Sequence, residues 1–487
     1  MAYYFGASMA TDVFVAAFRI PNLLRDLFAE GALSSAFVPV FKEKLVNEND
    51  SEAFCLARIV LTSLLVVVGT LVLLGMVAAP ALVFITANGF TENPVKFDLT
   101  ISLTRIMFVY LLLVSLSAAV MGILNSFGRF GIPALSPALF NLGIIVTVVG
   151  LYHWLDVPVY ALAIGVVIGG LGQLAVQLPQ LWRIGFRFRF CFSFLDDNFK
   201  KVVRLVLPMV AGMSASRVNI LISTLLASFL MEGALSFLNY SFRLMHFPLG
   251  VFAVALGTAA LPRASELAAR RDMDGLGRAY AEAINLNMFL VVPSAVFLAV
   301  MGRELVEVVF RWGAFSETDA ANTTLALLHY SYGLIGFAAV RVTVPIYYAL
   351  RDSVLPMRIS IATVAINIAL YYPLMEILDF AGLAAATSIA GLINFGLLLY
   401  YLSRKQIPIR YGSLMLGFFR IAAASSLGVW AATLIPVGIP SGWPEAIQRL
   451  LEFGAHFAGA CVFYLILCFV MRVSEARLLL RRLIGRT

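Results

Sequence analysis

Apolar runs of membrane-spanning length recur along this 487-residue chain and set its fold class. A helix needs about 20 apolar residues to cross a hydrocarbon core of about 30 Å. Only 13% of the residues are charged, against about 25% in soluble domains, and the short alternating segments of a barrel are not seen. The sequence therefore predicts an all-α polytopic membrane protein with thirteen helices. They cover residues 8–41, 55–87, 99–124, 136–155, 158–182, 202–231, 234–261, 279–301, 322–350, 356–378, 380–402, 413–436 and 448–472.

Lysine and arginine are concentrated in alternate loops. Counting from the loop after the first predicted helix, the odd-numbered loops and the C-terminal tail, each taken with the adjoining helix ends, hold 24 of them, and the even-numbered loops taken in the same way hold 4. The positive-inside rule places the basic loops and the C-terminus in the cytoplasm. Thirteen helices would then put Met1 outside. We therefore expect that one helix precedes residue 1, which would give an intact protein of fourteen helices with both ends inside.

An internal repeat supports this arrangement. With a shift of about 224 residues, Phe18-Arg19 falls on Phe242-Arg243, and Pro39 falls beside Pro262. Transporters are commonly built from such repeats, with the substrate site between them. The sequence predicts two six-helix lobes in parallel repeat plus two extra C-terminal helices. We assign 1–190 to the N-terminal lobe lacking its first helix, 191–403 to the C-terminal lobe and 404–487 to the extra helix pair.

Ionisable side chains lie inside the first predicted helix, where each costs about 2.5–3.5 kcal/mol. They include Asp12, Arg19, Arg25 and Glu30, and Asp12 and Arg19 share a helix face because they are seven residues apart. The structural interpretation is that such groups pair with one another or reach the interface.

The equivalent helix of the second half carries Arg243 and His246. Because arginines recur at corresponding places and carboxylates are too few to neutralise them, we favour function for Arg19, Arg25 and Arg243. Guanidinium groups in a water-filled cavity suit a phosphate or diphosphate. His246 is interpreted as a polar cavity-lining or packing residue, with a pH-responsive role as the alternative. For Arg217 and Arg341 a structural role is favoured.

Signatures of catalysis and metal binding are absent from the sequence. There is no Walker A, HExxH or GxSxG motif, the four cysteines form no CxxC pair, and the four histidines are far apart. We expect no enzymatic activity, no cofactor, no metal and no nucleic-acid partner. Transport would then be driven by the membrane potential, an ion gradient or the substrate gradient.

Three segments resemble the MurJ/MviN family of lipid II flippases, within the multidrug/oligosaccharidyl-lipid/polysaccharide exporter superfamily. They are FGASMATDVFVAAFRIPNLLRDLFAEGALSSAFVPV at 5–39, LNSFGRFGIPALSPALFN at 124–141 and NYSFRLMHFPLGVFAVALGTAALP at 239–262. The resemblance implies two lobes facing a cationic cavity and a C-terminal helix pair forming a groove for the lipid tail. It also implies translocation of lipid II, an undecaprenyl-diphosphate-linked peptidoglycan precursor, from the cytoplasmic to the periplasmic leaflet of the bacterial inner membrane. Membrane lipids and cell-wall synthesis proteins are further expected partners.

The resemblance also implies roles for particular residues. Arg25 and Arg243 match arginines that hold the diphosphate, and Asp12 and Ser236 match cavity positions linked to function. Two features depart from the family pattern: the first helix with its arginines is missing, and His246 stands where some members have an acidic residue. Asn367 and Thr387 lie where some members bind sodium, but no carboxylate accompanies them, so sodium coupling is not expected.

Other functions stay open at this point. An exporter of another polyprenyl-linked glycan or of a drug would share the architecture, although a drug exporter would favour carboxylates over Arg25 and Arg243. A membrane enzyme acting on polyprenyl-phosphate sugars would need acid/base or metal-binding residues in a loop at the membrane edge. A scaffold for the cell-wall machinery would account for the helices but not for the buried arginines.

Overall fold

The computed structural model of the chain describes residues 1–25, 32–193, 196–405, 407–409, 411–437 and 442–477, with the side chains of 32–35 and 207–217 outside that description. Within these residues the regular elements are helices. In chain order they are α1 (Ala2–Phe5), α2 (Met9–Arg25), α3 (Ala32–Asn47), α4 (Asp50–Val77), α5 (Ala79–Thr86), α6 (Pro94–Ser126), α7 (Gly131–Leu151), α8 (Tyr160–Ala175), α9 (Leu178–Arg183), α10 (Asp197–Ala227), α11 (Ala234–Pro248), α12 (Ala255–Ala269), α13 (Met273–Val300), α14 (Gly302–Phe310), α15 (Glu317–Ala349), α16 (Val354–Leu378), α17 (Phe380–Ser403), α18 (Tyr411–Thr433) and α19 (Glu445–Val470). A 3₁₀ turn spans Asn88–Glu92, and a π-helical stretch, Leu249–Val254, joins α11 to α12.

Eleven helical segments of the described residues are long and apolar enough to cross a membrane. The predicted all-α, multi-pass membrane fold is therefore confirmed. The eleven correspond to all predicted spans except the first and the sixth. The first is two helices, α2 and α3, on either side of residues 26–31, which lie outside the described residues. The sixth corresponds to α10, in which Val218–Ala227 is the apolar portion whose side chains are described.

Residues 8–235 form one compact unit, here the N-terminal unit. Its longest helix, α6, packs against α2, α3, α4 and α8. The helix begins at Pro94, a residue suited to the first helical position, and the Asn93 side chain accepts a hydrogen bond from the Lys96 amide at 3.2 Å. This cap satisfies one of the amide groups that a helix start leaves unpaired. As a result, α6 is positioned to hold α2, the helix with the buried charges.

Residues 1–7 and 236–487 form the second compact unit, here the C-terminal unit. Its longest helix, α15, packs against α12, α13 and α17. A reciprocal cap starts α15: the Ser316 hydroxyl accepts from the Asp319 amide at 3.1 Å, and the Asp319 carboxylate accepts from the Ser316 amide at 2.9 Å. The extra helices α18 and α19 pack on each other, and they reach this unit through α13 and α14.

An ion pair joins two loops of the C-terminal unit. The Lys405 ammonium, just after α17, donates to the Asp352 carboxylate at 2.6 Å. This hydrogen bond, and a second from the Leu355 amide, lower the pKa of Asp352. Both side chains are partly exposed, so the pair fixes the loop more than it adds stability.

The compact units meet in sequence between Leu235 and Ser236. Helix α10 belongs to the N-terminal unit because it packs against α2, α3, α4 and α5. The predicted lobe boundaries at 190/191 and 403/404 were drawn from the sequence repeat, whereas the compact units are defined by packing. The lobe boundaries therefore stay predictions.

Candidate substrate-binding site

Helix α2 carries the predicted cationic residues of the N-terminal unit. Arg19 and Arg25 are both half-buried, whereas Asp12, two turns before Arg19, is 1% exposed. The two arginines have further interactions with other parts of the chain. The unit therefore presents guanidinium groups at an intermediate depth, where they can contact a ligand without being fully solvated.

Asp12 holds the start of α2 in place. Its carboxylate accepts a hydrogen bond from the Gly233 amide at 2.8 Å and lies 3.4 Å from the Lys96 ammonium. The Met9 amide of the same helical turn donates to the Glu232 carboxylate at 2.7 Å. Burial of a carboxylate requires such partners. In this conformation Asp12 joins α2 to α6 and to the turn before α11, and its predicted contact with substrate stays a prediction.

Helix α11 carries the basic residues of the C-terminal unit. Arg243 is exposed, and its Nε donates to the Asn239 side chain at 2.9 Å, one helical turn earlier. The His246 ring lies against Phe242, with ring centroids 3.9 Å apart, and its Nδ1 is 3.2 Å from the Phe242 carbonyl. The Asn239 contact orients the Arg243 guanidinium and leaves its terminal nitrogens available for an anion.

Arg341 on α15 adds a third basic group to this face of the unit. It is exposed, it makes no ion pair with a described residue, and its charge acts on the His246 ring. The sequence favours a structural role for Arg341, by pairing or by reaching the interface, and that role stays a prediction. The sequence does contain a sign that Arg341 lacks a partner on its own helix: no acidic residue lies three or four positions away from it within this apolar segment.

Two other predicted residues are placed differently. Ser236 is fully buried at the start of α11. Glu30 lies outside the described residues. Their roles toward substrate stay predictions.

An apolar cavity of about 650 Å³ lies in the C-terminal unit, bordered by α11, α13, α14, α18 and α19. Six phenylalanines dominate its lining. They are Phe247, Phe252, Phe289, Phe297, Phe453 and Phe457. Phe252 belongs to the π-helical stretch after Pro248, and local widening of this kind often occurs at functional sites.

The hydroxyl groups in this lining are satisfied by the backbone. Ser294 donates to the Leu290 carbonyl at 2.8 Å, Ser425 to the Ile421 carbonyl at 2.6 Å, and Tyr464 to the Phe289 carbonyl at 2.7 Å. Since no hydroxyl needs a ligand partner, the cavity presents a hydrocarbon surface. Such a surface favours an alkyl or isoprenoid chain over a polar ligand.

The positions compared with a sodium site form a neutral cluster. The Asn367 amide donates to the Tyr371 hydroxyl at 3.1 Å, and that hydroxyl lies 3.5 Å from the Thr387 hydroxyl. Tyr371 comes one helical turn after Asn367 on α16. The part of the chain that the structure describes also contains no group of three or more His, Cys, Asp or Glu able to hold a metal ion.

Comparison with solved structures places the fold. The chain is similar to a lipid II flippase MurJ in an inward closed conformation, with a TM-score of 0.78, 24% identity and coverage of 96% of this chain and 95% of that one. It is also similar to an inward-facing multidrug resistance transporter of the MATE family, with a TM-score of 0.69, 12% identity and coverage of 85% and 93%. At these identities the likeness establishes the fold alone.

Comparison of sequences establishes the family. A probable lipid II flippase MurJ of Buchnera aphidicola subsp. Schizaphis graminum is 34% identical over 84% of this chain and 79% of its own length. The probable lipid II flippase MurJ of Vibrio cholerae is 34% identical over 84% of this chain and 80% of its own length. The lipid II flippase MurJ of Burkholderia cenocepacia is 33% identical over 83% of this chain and 79% of its own length. The family model for lipid II flippase MurJ matches residues 1–457. The chain therefore belongs to the MurJ family of lipid II flippases.

Proposed function

We propose that this protein is a flippase that moves lipid II from the cytoplasmic to the periplasmic leaflet of the bacterial inner membrane. One observation carries the proposal beyond family membership: α11 bears Arg243 and His246 and also lines the apolar cavity with Leu244 and Phe247. One helix thus carries both basic groups that can bind an anionic headgroup and apolar groups that can contact a long hydrocarbon tail. Lipid II, an undecaprenyl diphosphate, has both parts.

The headgroup is held by charge. The Arg243 guanidinium is oriented by the Asn239 side chain, and the Arg341 guanidinium has no ion pair among the described residues. Guanidinium binds phosphate oxygens in a bidentate manner. Arg19 and Arg25 of the N-terminal unit supply further cationic contacts. Because the diphosphate keeps its charge throughout transport, the arginines replace its hydration while the protein alternates between inward and outward access.

The tail is held by packing. A cavity of about 650 Å³ accommodates several isoprene units, and the phenylalanine rings of its lining can make close contacts with them. Because the bilayer is as apolar as the cavity, moving the tail from lipid into it gains no hydrophobic free energy, and the preference for an isoprenoid chain comes from shape and van der Waals contact. The cavity keeps the tail beside α11 while the headgroup crosses.

The protein acts as a transporter rather than a catalyst, with its C-terminus in the cytoplasm. The excess of lysine and arginine in alternate loops supports that orientation. An exporter of another polyprenyl-linked glycan would use the same head and tail contacts, and identification of the lipid that is moved separates the two functions.

Complementation tests the function directly. In cells depleted of their own lipid II flippase, we expect this chain to restore growth and to deliver lipid II to the outer leaflet. The measurement is accessibility of lipid II to an external hydrolase or binding probe. Correct insertion with neither growth nor exposed lipid II would overturn the assignment, and exposure of a different polyprenyl glycan would support the alternative.

Blocking the apolar cavity should impair transport without unfolding the protein. Ser294 lies in the lining on α13 and is partly exposed, so Ser294→Trp places an indole in the path of the tail. We expect a strong loss of rescue at normal protein level. The matched control is Leu427→Trp, on the exposed surface of α18 and outside the lining. Equal rescue by both variants would remove the cavity from the mechanism.

A further inference from the structure

A short extended segment between α9 and α10 has an unusual surface. Residues 185–193 read GFRFRFCFS, and we call this segment the strap. The strap is docked on α4: Arg58 Nε donates to the Arg187 carbonyl at 3.0 Å, and the Cys191 amide donates to the Thr62 hydroxyl at 3.1 Å. Phe186 is buried beneath it. The strap therefore has a defined position on the N-terminal unit.

Three phenylalanine rings project from the strap. Phe188 is 42% exposed, and Phe190 and Phe192 are each 62% exposed. Their rings form a continuous row, with centroids 5.2 Å apart for the first pair and 6.1 Å for the second. Scattered exposed apolar residues are ordinary on a protein surface, but a contiguous aromatic patch marks a membrane or protein contact.

Uncompensated positive charge accompanies the rings. Arg183 and Arg189 are exposed, and neither has a hydrogen bond or ion pair with another described side chain. By contrast, the Arg187 guanidinium donates to the Trp182 and Phe186 carbonyls, so its role is structural. The neighbouring lysines of α10 are neutralised, because Lys200 pairs with Asp197 and Lys201 pairs with Glu43. Arg58 and Arg187 keep their charge but are held by backbone carbonyls, so Arg183 and Arg189 are the guanidinium groups of this region whose donors are available to a lipid phosphate.

The strap follows directly on a membrane span. The apolar segment Tyr160–Arg183 ends two residues before it, so the strap lies at the level where that span leaves the hydrocarbon. Trp182, at the end of the span, is 53% exposed. Tryptophan and tyrosine are enriched at this depth, and Trp182 fits that preference. Arginine beside it meets the phosphate layer, where acidic lipids attract each basic group.

We propose that the strap is a binding surface for acidic phospholipid. Phe188, Phe190 and Phe192 enter the layer below the headgroups, and Arg183 and Arg189 bind the lipid phosphates. A zwitterionic lipid would satisfy the rings but not the charges, so the surface discriminates by headgroup. This inference does not depend on which lipid-linked substrate the protein transports.

The first test is titration of the purified full chain in detergent with phosphatidylglycerol, followed by native mass spectrometry, with phosphatidylcholine as the reference lipid. Each basic group near a lipid surface contributes about fivefold to affinity. We therefore expect R183A/R189A to bind phosphatidylglycerol about 25-fold more weakly, with phosphatidylcholine unaffected. The matched control is R263A/R270A, which removes two exposed arginines that are already paired with Glu282 and Glu266 and should bind like the unaltered protein. Unchanged or equally reduced binding in both variants would overturn the proposal.

A second measurement avoids the loss of any charge. In phosphatidylglycerol nanodiscs, the fluorescence added by Phe190→Trp should be quenched by brominated phosphatidylglycerol and shielded from aqueous iodide. Quenching by iodide with no effect of the brominated lipid would show that the rings face water. That outcome would overturn the membrane assignment.

Discussion

Arg243→Ala and Arg25→Ala should each abolish or strongly reduce rescue of flippase-depleted cells, while protein level and membrane insertion stay normal. Each guanidinium is expected to make charge-assisted contacts with the diphosphate, and losing one such contact costs about 1.5–3 kcal/mol, or about 10- to 150-fold in headgroup binding. The expected readout is loss of growth together with lipid II retained in the inner leaflet. Arg243→Lys should recover part of the function, because lysine keeps the charge but not the bidentate geometry.

The control for these variants is Arg270→Ala. Arg270 follows α12, is exposed, and pairs with Glu266 at 2.6 Å, far in sequence from the basic residues of α11. It should support full growth. Arg341→Ala distinguishes two interpretations of that residue: weakened transport at normal stability supports a ligand role, whereas reduced stability supports structural pairing. Normal growth with the double variant R25A/R243A would remove the arginines from the binding site.

Gly336→Val should prevent the C-terminal unit from folding properly. A Cβ atom at Gly336 would lie 2.7 Å from the backbone carbon and oxygen of Gly391, at the contact between α15 and α17. Backbone atoms cannot rotate away as a side chain can. Overpacking of a core commonly costs about 1–3 kcal/mol and sometimes more, and here the two helices must separate. We expect little monodisperse protein in detergent and a clearly lower Tm.

Gly396→Val is the matched control, on α17 itself. Nothing lies within 4 Å of a Cβ atom at Gly396. Both substitutions introduce the same β-branched residue into a helix, so they share the loss of side-chain freedom. The difference between their Tm values therefore measures the close approach alone. Similar Tm values for the two variants would contradict the α15–α17 packing.

Much of the fold follows from local sequence. Eleven of the thirteen predicted spans reappear because hydropathy is a sum over neighbouring residues and the bilayer imposes one length on them all. The two exceptions, the first and the sixth predicted spans, are the ones that include residues or side chains outside the described part of the chain, so the described helices do not test them. Arg243 is recognisable as a candidate site residue because a charge within a span is too costly to lack a role.

Contacts between side chains that are far apart in the sequence could not be predicted from local hydropathy and charge. Asp12 lies 3.4 Å from Lys96, which is 84 residues away, and nothing in the sequence predicts that pair. For Arg341 a structural role is predicted, by pairing or by reaching the interface, and the sequence does not show that it lacks an ion pair among the described residues. Whether a charge is neutralised depends on which side chains approach it in three dimensions, and a single sequence records no such distances.

The sequence alone therefore specified a polytopic helical membrane protein and its family, because span length, local hydropathy and motifs are properties of the chain itself, and it proposed the arginines of α2 and α11 as site residues. Tertiary packing decided the apolar cavity, whose lining combines residues from 244 to 465, with the two serine hydroxyls turned onto their own helices. It also decided that the rings of the strap face outward rather than into a core. The same alternating pattern could have formed a buried strand, and only docking on α4 determined which side of it is exposed.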